Sequence, residues 1–185
     1  MATINPDAAR YSTVAIILHW AISALIIANF VIVFMAEDLA KPEKMMWMGW
    51  HKSFGISILL LAVLRIIWRL VNPVPPLNPE HKAWERTLAR TIHSLFYILL
   101  IAIPVAGWLM VSGYGSPAAS VLGIAVPELP VSDPKAVGGV AHELHEILAF
   151  AMLGLLVLHV AGALKHHFID RDNTLARMLP FLRRG

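Results

Sequence analysis

The chain contains no cysteine. Disulfides, iron–sulfur clusters, thiolate zinc sites and covalently attached c-type haem are thereby excluded. Charge is scarce as well. Asp, Glu, Lys and Arg make up 15% of the 185 residues, where a soluble domain carries about 25%. Set against 58% hydrophobic residues, that shortage excludes disorder, a coiled coil and an ordinary soluble enzyme. No internal repeat or low-complexity tract stands out. What the sequence does have is long apolar runs and nine histidines.

Four apolar stretches are long enough to cross a bilayer, which takes roughly 20 helical residues. They cover about 13–36, 49–71, 91–111 and 141–167. In lipid the backbone must satisfy its own hydrogen bonds, so each is expected to be a helix. The first is too long for a cleaved signal peptide, and no small-residue cleavage site follows it. The fold class is therefore an all-α membrane protein, a four-transmembrane-helix bundle. Asn72-Pro73-Val74-Pro75-Pro76 breaks the chain after the second span. A Gly- and Pro-rich segment, Ser112 to Gly139, joins the third to the fourth. Its mildly apolar part, 117–127, is expected to lie on the membrane surface. Asp172-Asn173-Thr174 reads as a side-chain-capped start for a short helix within 172–182 along the inner face.

Charge sets the direction. Eleven of the fifteen basic residues flank the spans on one side: Arg10, Arg65, Arg69, Lys82, Arg86, Arg90, Lys165, Arg171, Arg177, Arg183 and Arg184. Lys41, Lys44, Lys52 and Lys135 fall on the other. The positive-inside rule places both termini in the cytoplasm. The overall charge of +3 is then a matter of topology and carries no argument for nucleic acid.

Ionisable side chains inside a membrane are functional candidates by default. His145 and His159 are 14 residues apart. On a helix that is about 40° short of four turns and about 21 Å of rise, so both leave nearly the same face at different depths. His19 matches the depth of His159 near the inner side, and His51 matches His145 near the outer side. Two such pairs in a four-helix bundle are what two bis-imidazole b-type haems require. Gly55, one turn after His51, and Gly162, three residues after His159, leave room for a flat macrocycle. Arg65 lies 14 residues after His51, at the level of the inner pair. It either meets a haem propionate or snorkels to the interface. Zinc or copper transport is the other metal reading, but two distant sites with no intramembrane carboxylate make a poor path. His93 is expected to hydrogen-bond near the inner surface and His142 to be accessory. His166 and His167 reach the inner interface as headgroup contacts or quinone proton donors. His81 sits in a polar loop with no expected role. The six tryptophans fit an interfacial aromatic belt.

Ile17-Leu18-His19-Trp20, then Trp50-His51-Lys52-Ser53-Phe54-Gly55-Ile56-Ser57, resemble the bacterial cytochrome b-561 family, related to the b subunits of nickel hydrogenases. Leu144-His145-Glu146, Leu158-His159 and Lys165-His166-His167-Phe168 with Asp172-Asn173-Thr174-Leu175 complete an ordered set covering nearly the whole chain. The resemblance implies one di-haem cytochrome b domain over 1–185, in the bacterial inner membrane. It implies axial ligands His19 and His159 for the inner haem iron, and His51 and His145 for the outer one. The small stand-alone members are implied to be superoxide oxidases, which take one electron from superoxide at the periplasmic side and pass electrons across two non-covalent b-type haems to ubiquinone. His166 matches a family histidine near the quinone. Superoxide and quinone rest on this resemblance alone. Lys52, with Lys41, Lys44 and Lys135, would steer superoxide, or would be ordinary interfacial lysines. The expected partners are the lipid bilayer, superoxide and quinone, without nucleic acid and without a required protein partner. Two alternatives stay open: a cytochrome subunit relaying electrons between quinone and a dehydrogenase or other protein, and a haem-free metal-binding or assembly protein.

Overall fold

The structure is a computed structural model that describes residues 11–72, 74–76, 81–115 and 119–182. Helix α1 spans Thr13–Ala36, α2 Lys41–Val71, α3 Ala83–Tyr114 and α4 Pro134–Phe168. All four are long and apolar enough to cross a membrane. Each boundary has a local cause. The Ser12 hydroxyl accepts a hydrogen bond from the Ala15 amide and caps α1. Asp133 does the same for Ala136 at the start of α4, with Pro134 in the first turn where its missing N–H costs nothing. Helix α2 stops at Asn72, which is extended because Pro73 follows it. Helix α3 ends at Gly115, whose left-handed φ of 58° suits a residue without a β-carbon.

The helices run beyond the expected spans at several ends. Helix α2 starts eight residues before 49 and α3 eight before 91, because the polar stretches Lys41–Met48 and Ala83–Arg90 are also helical. Within 172–182 the chain forms two 3-10 turns, Leu175–Arg177 and Pro180–Leu182, rather than one continuous helix. Asp172 opens them with an Asx turn, its carboxylate accepting from the Thr174 amide at 2.7 Å.

Residues 11 and 182 share one end of the bundle, called the terminal end. There Trp20 Nε1 donates to the Met178 carbonyl, Trp68 Nε1 to Ser12, and Arg177 to the Pro76 carbonyl. The opposite, far end carries the α1–α2 and α3–α4 connections. Helices α3 and α4 form the most extensive pair, followed by α1 with α2. At the far end α3 and α4 nearly touch: a β-carbon on Gly113 would sit 2.6 Å from the Pro134 carbonyl and 2.7 Å from the Gly138 Cα. Small residues permit that approach. Helix α4 makes no comparable backbone approach to α1 or α2 among the described residues. Away from the core at mid-depth, α4 is therefore set apart from the α1–α2 pair.

Midway along the bundle, Ile22, Ile58, Ala62, Leu99, Leu100 and Met152 form the buried core. Elsewhere large apolar side chains face outward, including Ile17, Ile67, Ile98 and Val157. That is the exterior that a bilayer requires. Of the apolar stretch 117–127 in the α3–α4 connection, 117 and 118 lie outside the described residues. The connection forms a small hairpin of β1 (Ser120–Val121) and β2 (Ile124–Ala125), turned by Leu122 and Gly123 at φ 52° and 81°. It is fastened by Trp108 Nε1 donating to Pro127 and the Leu129 amide donating to the Ser112 hydroxyl.

Candidate functional site

The gap beside α4 is bridged at two levels by histidine rings. At the far end, His51 of α2 faces His145 of α4 with ring centres 5.9 Å apart and planes at 79°. A narrow cleft of about 50 Å³ opens beside them. Gly55, Ile56, Gly107 and Trp108 line it, and Ala119, Val126, Pro127 and Glu128 of the hairpin connection roof it. His145 Nδ1 meets the Ile103 carbonyl at 2.9 Å. Gly107, one turn further along α3, leaves the space this ring occupies: a β-carbon there would lie 3.0 Å from His145 Cε1 and Nδ1. His51 Nδ1 is buried with no hydrogen-bond partner. A β-carbon on Gly55 would meet nothing within 4 Å.

At the terminal-end level, His19 of α1 faces His159 of α4 at 6.2 Å, with planes at 71°. A third imidazole joins them. His93 of α3 lies 5.6 Å from His159, and Phe96 borders the same ring at 5.4 Å. Sequence reasoning placed His93 near the surface because the third span was started at about 91. The missed signal is the helical, polar run from Ala83, which sets His93 ten residues, about 15 Å, into α3. Arg65 is at this level too and donates to the Ala15 carbonyl at 3.0 Å. With Arg69, Trp68, Asn72 and Tyr97 it lines a second, smaller cleft at the terminal end.

The remaining expected residues fall apart into separate groups. Lys52 and Glu128 both line the far-end cleft with His51 and His145. Lys44 donates to the Glu37 carbonyl at 3.2 Å, and Lys41 and Lys135 are exposed at helix starts. His142 is exposed one turn from His145. His166 is not grouped with Arg65 and Arg69. It stacks on His81 at 4.3 Å and meets Asp170 and Asp172.

A family profile described as prokaryotic cytochrome b561 matches residues 10–181. The chain belongs to the prokaryotic cytochrome b561 family. It is similar to cytochrome b561 homolog 2 of Escherichia coli (strain K12), with 34% identity over 177 residues, 92% of this chain and 91% of that protein. It is similar to a probable superoxide oxidase, CybB, of Yersinia pestis, with 31% identity over 172 residues, 92% of this chain and 96% of that protein. Cytochrome b561 homolog 1 of Escherichia coli (strain K12) is 31% identical over 179 residues, 92% and 97% of the two chains. As a cytochrome b561, the chain is a multi-pass protein of the bacterial inner membrane, which binds b-type haem and transfers electrons.

The residues of this cytochrome b561 fit the group its family binds. Two imidazole–metal bonds of about 2 Å each, plus half a ring on either side, separate axial ring centres by roughly 6 Å, close to both observed pairs. The His145 Nδ1 contact with a backbone carbonyl fixes the ring and leaves Nε2 available, the usual arrangement for a metal-ligating histidine. The orphaned His51 Nδ1 and the open space at Gly55 mark a site shaped for something beyond the protein itself.

Proposed function

We propose that this cytochrome b561 is a two-haem superoxide:ubiquinone oxidoreductase, with one haem at each histidine level. His51 and His145 would hold the haem at the far end, and His19 and His159 the one at the terminal end. The observation that carries the reading is the pair of facing imidazoles at each level, across a gap that the helices themselves do not close. The positive-inside rule puts the terminal end and both termini in the cytoplasm, and the far end in the periplasm. The whole chain, 1–185, acts as one domain.

Bound haem supplies one-electron redox chemistry. The protein does the rest. The carbonyl of Ile103 holds the His145 ring in one orientation, and Gly107 gives that ring its place. The ammonium of Lys52, on the far-end cleft, draws a small anion toward His51 and His145. Glu128, which lines the same cleft, confines that attraction to a local patch. At the other end, ubiquinone docks at the terminal-end surface beside His166, which hands on a proton, while Arg65, at the level of His19 and His159, would hold a haem carboxylate. Two superoxide ions each lose one electron and leave as oxygen. The quinone gains those two electrons, with two protons from the cytoplasmic side, and becomes quinol. The relative named as a probable superoxide oxidase supports this choice of substrate.

Rapid mixing tests it. Superoxide is mixed with purified oxidised holoprotein, and the b-type absorbance is followed. Reduction by superoxide, then reoxidation on adding a soluble ubiquinone, is the expected result. No reduction by superoxide would sink the enzyme assignment and leave an electron carrier fed by a protein partner.

A further inference from the structure

His81, which sequence reasoning leaves without a role, is brought against His166 and Asp172 at the terminal-end surface. The chain reverses sharply just after α4. Arg171 takes a left-handed φ of 57°, and the Asp172 amide returns to the His166 carbonyl at 3.1 Å. That reversal folds Asp172 back over the helix end. Its Oδ1 accepts from the Thr174 amide, which leaves Oδ2 for other partners. Two ring nitrogens converge on that one oxygen: His81 Nε2 at 2.8 Å and His166 Nδ1 at 3.0 Å. The three donor atoms all lie within 4.8 Å of one another, and all three residues are half-buried.

We infer that His81, His166 and Asp172 form a binding site for a divalent transition-metal ion, zinc fitting best. Two imidazoles and a carboxylate are a donor set that suits zinc. In a tetrahedral shell with bonds of about 2.0–2.1 Å, donor atoms sit about 3.3 Å apart. The two contacts to Asp172 Oδ2, at 2.8 and 3.0 Å, would open by a few tenths of an ångström to reach it. Burial pushes the Asp172 carboxyl up, yet hydrogen bonds from Thr174 and His81 outweigh it and hold it at about 2, so the carboxylate is ionised at neutral pH. Asp170 Oδ2, 2.9 Å from His166 Nδ1, is held by Lys165 at 2.8 Å, so water would complete the shell. The neighbouring charges accommodate a cation. Lys165 is already neutralised by Glu85 and Asp170, and Arg86 donates to the His81 carbonyl rather than to the ring. The ion would clip the α2–α3 connection to the end of α4 and the turn after it, adding to the His81–His166 stack and the hydrogen bonds already there. The site stands whether or not His166 also meets a quinone.

The test uses the haem-loaded protein in detergent, stripped with a chelator and dialysed against micromolar Zn2+, with bound zinc measured by elemental analysis. Wild type should retain one more zinc per chain than His81→Gln, Asp172→Asn or His166→Gln. Affinity should fall at least tenfold in each, with the haem spectrum unchanged. His167→Gln should behave as wild type. His81→Cys should recover zinc, because a thiolate is a ligand, while a merely structural histidine would not be rescued. Equal zinc in wild type and His81→Gln, or no rescue by cysteine, overturns the proposal and leaves the cluster a hydrogen-bonded clasp.

Discussion

Gly107 is the most exacting point of the far-end site, and Gly107→Ala should damage that site alone. The added methyl would lie 3.0 Å from His145 Cε1 and Nδ1, where non-bonded heavy atoms prefer about 3.5–4.0 Å. The ring must then retreat from α3 by about 0.5 Å. Ile103 is one turn away on the same helix, so the retreat also stretches the 2.9 Å hydrogen bond to its carbonyl past the usual limit of about 3.2 Å. Overpacking costs about 1–3 kcal/mol, and the weakened hydrogen bond about 1 kcal/mol. Together they amount to about 2–4 kcal/mol against the bound state, or a roughly 30- to 1000-fold weaker site. The haem-to-protein ratio after gel filtration should fall from two toward one. A redox titration should keep one component at its wild-type midpoint, and Gly107→Ala combined with His159→Ala should be nearly haem-free. Two haems with unaltered midpoints in Gly107→Ala would refute the placement of His145 as a ligand held between Ile103 and Gly107.

Other outcomes follow from the same geometry. His159→Ala should remove one haem, as should His19→Ala, while His93→Ala should shift the midpoint of the terminal-end haem and keep the full complement; if His93→Ala loses the haem and His19→Ala does not, the axial partner is the α3 histidine. Lys52→Gln should slow reduction by superoxide several-fold at low ionic strength and little at high salt, with haem content intact, as stopped-flow traces would show. Asp172 is held at about 2, below its ordinary value of about 4, so its contribution to stability is complete above about pH 4 and is lost as pH falls through 2. Screened by solvent, that contribution is about 1 kcal/mol. In chelator-treated protein Asp172→Asn should flatten this part of the pH profile of thermal unfolding, and an unchanged profile would remove Asp172 from the cause.

The parts of the fold that depend on lipid were legible. A run such as 147–158, with no charge, has one stable conformation in hydrocarbon, and α4 is helical throughout. The 14-residue spacing of His145 and His159, with counted depths, was enough to bring His19 and His51 opposite them. Where depth had to be counted from a polar boundary it went astray. Ala83–Arg90 is helical but reads as loop by hydropathy, and His93 was set too shallow. The hairpin roof over the far-end cleft was not legible either, since it depends on Leu122 accepting a left-handed φ, which the amino-acid type disfavours. The His81–His166–Asp172 cluster joins positions far apart in the chain. It hinges on the turn at Arg171, for which no local motif speaks.

The apolar layer of Ile22, Ile58, Ala62, Leu99, Leu100 and Met152 lies between the two histidine levels. No carboxylate, amine or imidazole occurs over 20–36, 53–64, 94–114 or 147–158, so no ionisable side chain offers protons a relay through it. On the proposed function, electrons crossing from periplasm to cytoplasm would travel without compensating ions. Each transfer would displace one negative charge inward, and each quinone reduced would take its protons from the cytoplasm. Removing superoxide would in this way charge the membrane, and a membrane potential already present would oppose the crossing by up to about 2.3 kcal/mol per electron for each 100 mV.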